Sequence, residues 1–277
     1  MPQLPFIKMH GAENDYIFFD GMTGPLPRDP GVLAKRICNR RAGIGADGII
    51  CMVSPSDESF DVQMQIWNSD GSAAEMCGNA ARCIAVWMRC KGRISEVCRI
   101  QTSDRIITAQ KIHVNGEVGS ATVDMGAPEL LTAADGQTIE LADKAPVVLH
   151  RVHLGNPHAI VFVDELTDKL VHGLGPEVAQ HSLFPHRTNV EFVVVHAPNE
   201  LLVRVWERGS GETRACGSGA CAVVAAAVNT GRIPGNQDCR VVLPGGTLTA
   251  HWNPESGNIL LSGPVAIAFT GNVTDDS

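Results

Sequence analysis

The chain has 277 residues, of which 44% are hydrophobic and 19% are charged, and its formal net charge is −8 at pH 7. This composition is sufficient for packed cores and argues against disorder. The negative charge disfavours nucleic acid and anionic membranes as partners. Residues 1–16 show no secretory leader and no apolar run is long enough to span a bilayer, so we expect a cytoplasmic protein.

The nine cysteines contain no C-x-x-C pair, which argues against a zinc ribbon or a thioredoxin-like motif. In a chain without an export signal, most of them are expected to be reduced thiols, and several to be buried. The histidines show no spacing typical of metal ligands. The sequence therefore predicts no metal site.

The first half of the chain alternates strands with two helices. Asp29 and Pro30 open a helix that is expected to run to about Arg40. The apolar stretch from Cys77 to Cys90 predicts a helix that is buried on every side, with Cys83 and Cys90 in the core. Strands are predicted within 4–20, on both sides of a loop, and at 60–67, 97–102, 106–114 and 121–125.

The second half repeats this plan. Gly175 and Pro176 are expected to open a helix. A second apolar helix is expected to run from Cys216 to about Val228, with Cys221 in the core. Strands are predicted at 147–154, 159–163, 188–196, 201–206, 240–243, 247–252 and 258–262. The segment 265–269 is also strand-like and is expected to return to the first half.

Two short stretches carry the repeat most clearly. Residues Trp67–Cys83 and Trp206–Ala222 share a W-x9-C-G spacing, which aligns Cys77 with Cys216 without a gap. A single Cys-Gly pair would mean little, but the shared distance from the tryptophan is hard to obtain by chance. We interpret the chain as a duplicated half and the two cysteines as a facing pair.

These patterns predict an α+β fold of two duplicated domains related by a pseudo-two-fold axis. Each domain is expected to be a mainly antiparallel sheet or barrel wrapped around a central apolar helix. The expected domains are 1–118 with 264–277, which carries Cys77, and 119–263, which carries Cys216. Ligand sites favour the crevice between domains.

A cysteine at a helix N-terminus suggests acid–base chemistry. The helix end offers free N–H groups and a partial charge of roughly +0.5, which can hold a carboxylate and lower a thiol pKa, so that thiolate is available near neutral pH. One sulfur could remove the proton alpha to a bound carboxylate while the other returns a proton and inverts the centre. No cofactor signature is seen. The alternative is two buried structural thiols.

Six ordered segments resemble the diaminopimelate epimerase family, whose members interconvert LL- and meso-diaminopimelate without a cofactor. They are G-A-E-N-D-Y at 11–16, G-I-G-A-D-G at 43–48, N-S-D-G-S-A-A-E-M-C-G-N-A-A-R-C at 68–83, G-N-P-H at 155–158, R-T-N-V-E-F at 187–192 and E-R-G-S-G-E-T-R-A-C-G-S-G-A-C-A at 207–222. The resemblance implies an isomerase of lysine and cell-wall precursor biosynthesis with a small-molecule substrate, and allows a homodimer.

The resemblance also implies roles for individual residues. Cys77 and Cys216 become the acid–base pair, with His158 beside them as a supporting residue. The remaining residues would bind the substrate: the reacting carboxylate by the N–H groups of Gly78, Asn79, Gly217 and Ser218, the reacting amine by Asn14 and Glu207, and the distant amino acid end by Asn68, Asn156, Asn189 and Arg208. One departure is Glu13, where the family usually has Gly.

Two other functions remain open on the sequence. The first is another racemase or epimerase of the same fold that needs no pyridoxal phosphate. Its proline-type members usually have His after the first Cys-Gly, whereas this chain has Asn79. The second is a non-catalytic amino-acid-binding protein, although binding alone needs neither cysteine.

Overall fold

A computed structural model describes residues 3–74, 76–103, 105–142, 144–255 and 257–275. The chain divides into two compact units. The first is Met1–Val123 with Gly263–Ser277, and the second is Asp124–Ser262. Glu75 of the first cysteine segment lies outside the described residues.

The first unit is a mainly antiparallel set of strands with two crossover helices. Its strands are β1 (Gln3–Gly11), β2 (Asn14–Asp20), β3 (Gly48–Val53), β4 (Val62–Asn68), β5 (Ala73–Ala74), β6 (Cys98–Gln101), β7 (Ile106–Asn115) and β8 (Val118–Asp124), and its helices are α1 (Pro30–Ile37) and α2 (Gly78–Cys90). Neighbours pair antiparallel except β2 with β3 and β4 with β6, which are parallel because a helix lies between them in the chain.

A strand that runs from the second unit into the first completes the first unit. Strand β18 (Ile259–Thr274) begins in the second unit, and its later residues pair antiparallel with β1 from Gln3↔Thr274 to His10↔Ala266. Together with a β8–β18 pairing, this closes the strands into a barrel-like ring. The prediction that segment 265–269 returns to the first half is confirmed.

The second unit repeats the arrangement. Its elements are β9 (Glu129–Leu130), β10 (Gln137–Ile139), β11 (Val147–His153), β12 (Pro157–Phe162), α3 (Asp168–Ala179), β13 (Asn189–Ala197), β14 (Glu200–Glu207), β15 (Gly211–Thr213), α4 (Gly217–Asn229), β16 (Asp238–Leu243) and β17 (Gly246–Trp252). The parallel pairs are again those bridged by a helix, β12 with β13 across α3 and β14 with β16 across α4. The other pairs are antiparallel.

Each unit places its apolar helix at its centre. Every residue of α2 from Gly78 to Met88 is buried, and the helix packs against β1, β6 and β7. In α4 only Ser218 and the last two residues escape full burial, and strands of the second unit pack around it. The predicted strand-rich α+β fold with a central helix in each half is therefore confirmed.

Three local predictions are wrong, and one strand was not predicted. Helix α1 ends at Ile37 rather than near Arg40, because the Asn39 side chain accepts the N–H groups of the next turn and stops the helix. Cys90 is exposed, since it lies on the last turn of α2 and beyond the buried stretch. The strand Gly48–Val53 was not anticipated.

The start of α3 is the third error. The helix begins at Asp168, capped by the Thr167 hydroxyl, which accepts the Leu170 N–H at 3.1 Å, and Pro176 lies inside it. Gly175 does not open the helix. A Cβ at that position would stand 2.8 Å from the Trp206 side chain, so the glycine allows α3 to pack closely on that ring.

Among the described residues, no helix has the length and apolar character needed to cross a membrane.

Candidate active site

Each central helix begins immediately after a cysteine that caps it. Cys77 has an extended backbone (φ −144°, ψ 113°), and its sulfur accepts the Ala80 N–H at 3.5 Å. Cys216 has nearly the same conformation (φ −122°, ψ 115°), and its sulfur accepts the Gly219 N–H at 3.4 Å. An N-cap residue is non-helical and its side chain binds the N–H of the third helical residue. Both sulfurs therefore occupy equivalent positions at a positive helix end.

A chain of side-chain hydrogen bonds surrounds Cys77. The carboxylate of Asp47 accepts the Asn14 Nδ2–H at 2.7 Å, which fixes the orientation of that amide. Asn14 Oδ1 then accepts from Asn79 Nδ2 at 2.9 Å and faces the Cys77 sulfur at 3.5 Å. Arg82 in turn donates to Asn79 Oδ1 at 2.6 Å. The first unit thus brings together Cys77, Asn14 and Asn79, three of the predicted site residues.

Burial raises the pKa of the Cys77 thiol. The Ala80 N–H, the Tyr16 hydroxyl and the fully buried guanidinium of Arg82 act in the opposite direction but do not outweigh the loss of hydration. Cys77 is nevertheless the more exposed of the two cysteines, since its side chain is only half-buried.

A longer chain of bonds leads away from Cys216. Its sulfur lies 3.5 Å from Ser218 Oγ, which accepts from Asn156 Nδ2 at 3.3 Å. Asn156 Oδ1 lies 2.9 Å from His158 Nε2, and His158 Nδ1 lies 2.7 Å from Glu191 Oε1. The side chains of His158 and Glu191 are wholly buried. The second unit therefore brings together Cys216, Ser218, Asn156 and His158, four of the residues assigned to the site, and adds Glu191.

Burial, followed by the carboxylates of Glu207 and Glu191, raises the pKa of Cys216 well above its usual value. The bonds from Ser218 and the Gly219 N–H oppose this shift only in part. The prediction that the helix end lowers the thiol pKa and makes thiolate available near neutral pH is therefore wrong. Desolvation of a buried thiolate outweighs the helix field.

The residues predicted to bind the distant end of a substrate do not all belong to the hydrogen-bonded chains around Cys77 and Cys216. Asn189 is buried, and its Oδ1 accepts the Arg208 N–H at 2.9 Å, whereas the Arg208 side chain is exposed. Glu207 Oε1 accepts from the Thr213 hydroxyl. Asn68 donates to Ser72 Oγ at 3.0 Å.

Sequence reasoning assigned no role to three charged residues that prove to contact the site residues. Asp47 orients Asn14, Arg82 orients Asn79, and Glu191 binds His158. Two of them had a visible signal. Arg82 interrupts an otherwise apolar helix and Glu191 an otherwise apolar strand, and charged residues are rarely buried unless they are paired.

Glu13 occupies the turn before Asn14 in a left-handed conformation, with φ 62°. A glycine, the residue that the resemblance leads us to expect there, adopts this conformation without strain.

The chain is similar to known proteins over almost its whole length. The family model described as diaminopimelate epimerase matches residues 6–131 and 151–268. The diaminopimelate epimerase of Desulforudis audaxviator is 41% identical over 279 residues, covering 97% of this chain and 98% of that protein. The diaminopimelate epimerase of Moorella thermoacetica is 41% identical over 281 residues, covering 96% and 98%.

Solved structures share the fold at low identity. A hydroxyproline epimerase from Agrobacterium vitis superposes with a TM-score of 0.77 at 15% identity, covering 99% of this chain and 93% of that one. A phenazine biosynthesis protein of the PhzF family from Bacillus anthracis gives a TM-score of 0.70 at 14% identity, covering 99% and 100%. With the family model matched across both halves and relatives near 40% identity along almost the whole length, this chain belongs to the diaminopimelate epimerase family.

Proposed function

We propose that this isomerase interconverts LL- and meso-diaminopimelate with Cys77 and Cys216 as its two acid–base groups. The observation that carries the proposal is the matched pair of N-caps, in which each unit places one sulfur at the start of its buried central helix. Two groups of the same chemical type suit a reversible inversion, because either can act as acid or base.

We propose that the N-termini of α2 and α4 bind the carboxylate at the reacting end of the substrate. The N–H groups of Gly78 and Asn79 in one unit, and of Gly217 and Ser218 in the other, are the orphan donors of their helices. Carboxylates bind such ends because the donors converge and the helix dipole favours negative charge. The mechanism requires both sulfurs to reach the α carbon of one substrate molecule.

The raised thiol pKa values fit a base that forms only with substrate present. A substrate ammonium group placed near a thiol favours thiolate, since opposite charges stabilise each other in a site of low dielectric. Asn14 and Glu207 are the proposed partners of that ammonium group. Asn68, Asn156, Asn189 and Arg208 are proposed to bind the distant amino acid end, and His158 to support the chemistry.

Exchange of the α proton tests the proposal. Incubation of LL-diaminopimelate in D₂O, followed by mass spectrometry and chiral chromatography, should show deuterium at the α carbon together with formation of the meso isomer. Cys77→Ala and Cys216→Ala should each abolish epimerisation. The double variant should be little worse, because residues that act as a unit are not additive.

Matched controls lie in the same helices. Cys83 and Cys221 are fully buried cysteines of α2 and α4, so Cys83→Ala and Cys221→Ala remove a sulfur without touching the caps. Both should retain epimerisation. Substantial turnover by either cap variant would overturn the two-base proposal, and tight binding without exchange would favour the amino-acid-binding protein instead. A wild type that epimerises proline better than diaminopimelate would favour another racemase of this fold.

We also propose that the enzyme is cytoplasmic and that it forms a homodimer. Light scattering would measure its oligomeric state.

A further inference from the structure

The hydrogen bonds beside Cys77 form a chain whose direction is fixed by its two ends. One end is the fully buried Arg82, whose Nη2 donates to Asn79 Oδ1 at 2.6 Å. Asn79 Nδ2 donates to Asn14 Oδ1 at 2.9 Å, and Asn14 Nδ2 donates to Asp47 Oδ2 at 2.7 Å. A guanidinium only donates hydrogen bonds, and an ionised carboxylate only accepts them. The chain therefore runs in one direction, from the guanidinium to the carboxylate.

The two ends also decide which way the Asn14 amide faces. An asparagine side chain has an acceptor oxygen and a donor NH₂ group, and its partners determine which of them points in a given direction. If the Asn14 amide were turned over, its NH₂ group would meet that of Asn79 and its oxygen would meet the Asp47 carboxylate. Both bonds would be replaced by repulsive contacts. The amide therefore has one favourable orientation.

Asp47 is itself held firmly as an acceptor. Its Oδ2 also accepts the main-chain N–H of Asp15 at 3.1 Å, and its Oδ1 accepts from Arg40 Nη2 at 2.8 Å. Its own main chain is fixed too, because its N–H donates to the Asp15 carbonyl at 2.9 Å and its carbonyl accepts the Ser69 N–H at 3.0 Å. Both carboxylate oxygens thus meet donors, and the group that orients Asn14 has a fixed place.

The direction of the chain leaves an acceptor atom beside Cys77. Asn14 Oδ1, which takes one N–H from Asn79, also lies 3.5 Å from the Cys77 sulfur. A carbonyl oxygen has two lone pairs and accepts more than one hydrogen bond. An ammonium group only donates, so it suits this atom. A hydroxyl group, which donates or accepts, does not depend on the orientation of the amide in the same way.

We propose that Asp47 is a positioning residue that makes this part of the site select an ammonium group, by turning the Asn14 oxygen toward Cys77. The inference rests on the proposed function, in which Asn14 binds the reacting amine of the substrate. Its acceptor atoms rather than its charge serve this role, because the charge of Asp47 is already paired with that of Arg40 at 2.8 Å.

Two substitutions separate the acceptor from the charge. In Asp47→Asn, the main-chain N–H of Asp15 still requires an acceptor, so the new amide keeps its oxygen at the Oδ2 position and continues to accept from Asn14. Its NH₂ group then faces Arg40, whose side chain is 58% exposed and is free to turn away. In Asp47→Ala the acceptor is gone, and the Asn14 amide is no longer fixed from both ends.

The preference for an amine over a hydroxyl is the readout. The probe is the dihydroxy analogue of diaminopimelate, in which hydroxyl groups replace both amines, used as a competitive inhibitor. In Asp47→Ala, kcat/KM for LL-diaminopimelate should fall by about tenfold or more, the usual effect of a lost hydrogen bond to a charged group, while the inhibition constant of the analogue changes by less than about threefold. Asp47→Asn should restore kcat/KM to within about threefold of the wild type and keep the preference.

Asp61→Ala is the matched control in the same unit. The Asp61 carboxylate also accepts a main-chain N–H, that of Arg99 at 2.7 Å on β6, so its loss removes a comparable bond. Both constants should stay at their wild-type values. If Asp47 merely supported the fold, Asp47→Ala would weaken the substrate and the analogue by the same factor. That result, or an Asp47→Asn variant as impaired as Asp47→Ala, would overturn the proposal.

The wild type provides a further readout if Asp47→Ala fails to fold. Neutron diffraction from a deuterium-exchanged crystal should show the Asn14 ND₂ group directed at Asp47 and the Asn14 oxygen directed at Cys77. The reverse orientation would overturn the proposal. This measurement uses no substrate, so failure of the proposed function would show separately, as absence of α-proton exchange in the wild type.

Discussion

Gly219→Ala tests the tight space between Cys216 and Glu191. In the middle of a helix, alanine is more stable than glycine by about 0.5–1 kcal/mol, because glycine loses more conformational freedom on folding. At position 219 the added Cβ would stand 2.7 Å from Glu191 Oε1, a distance at which one of the two groups must move. Overpacking of this kind costs about 1–3 kcal/mol. We therefore expect a net destabilisation of up to about 2 kcal/mol.

A second helical glycine isolates the packing effect. Gly173 lies in α3 of the same unit, and a Cβ there would meet nothing within 4 Å. Gly173→Ala should therefore stabilise the unit by about 0.5–1 kcal/mol. Urea denaturation of the two variants and the wild type measures both effects, with the comparison made on midpoints at constant slope. Equal stabilisation by Gly219→Ala and Gly173→Ala would refute the close contact with Glu191.

Two further predictions concern specificity and pH. Arg208→Ala should lower kcat/KM for LL-diaminopimelate by at least about 30-fold, which corresponds to about 2 kcal/mol for a lost charge-assisted contact. The wild type should turn over lysine very poorly, because lysine lacks the distant carboxylate. Lysine epimerised as fast as LL-diaminopimelate would instead indicate a general amino-acid racemase. Because burial raises the pKa of both Cys77 and Cys216, the thiols stay protonated to higher pH than free cysteine. Alkylation of both in the free protein at pH 7.5 should therefore be slower than that of free cysteine, with Cys77 ahead of the more buried Cys216. Rates equal to free cysteine at pH 7.5 would contradict the effect of burial.

The features that sequence analysis predicted well are those with a strong periodic or positional signal. The apolar stretches after Cys77 and Cys216 could only be buried helices, and the structure caps both with the cysteine itself. The start of α3 was predicted at Gly175 and Pro176, but the structure begins this helix after the Thr167 cap. Gly175 instead allows the close contact with Trp206.

The contact between His158 and Glu191 could not be predicted from their spacing in the chain. Glu191 and His158 come from neighbouring parallel strands, and their meeting depends on the register His158↔Asn189, which a sequence does not state. The direction of the thiol pKa shifts also depended on burial, which outweighs the helix field that motivated the opposite expectation. Electrostatic effects of this kind follow from the surroundings of a group rather than from its neighbours in the chain.

The path of strand β18 determines the order in which the two units are completed during synthesis. Residues 266–274 of this strand pair with 3–10 of β1, yet the whole of Asp124–Ser262 is translated between these partners. A nascent chain that ends before Gly263 already contains the second unit but lacks the strand that closes the first. Domains generally fold as units as they leave the ribosome, and pairings distant in sequence form slowly. The amino-terminal strand β1, although synthesised first, therefore lacks its β18 partner until the second unit has been synthesised.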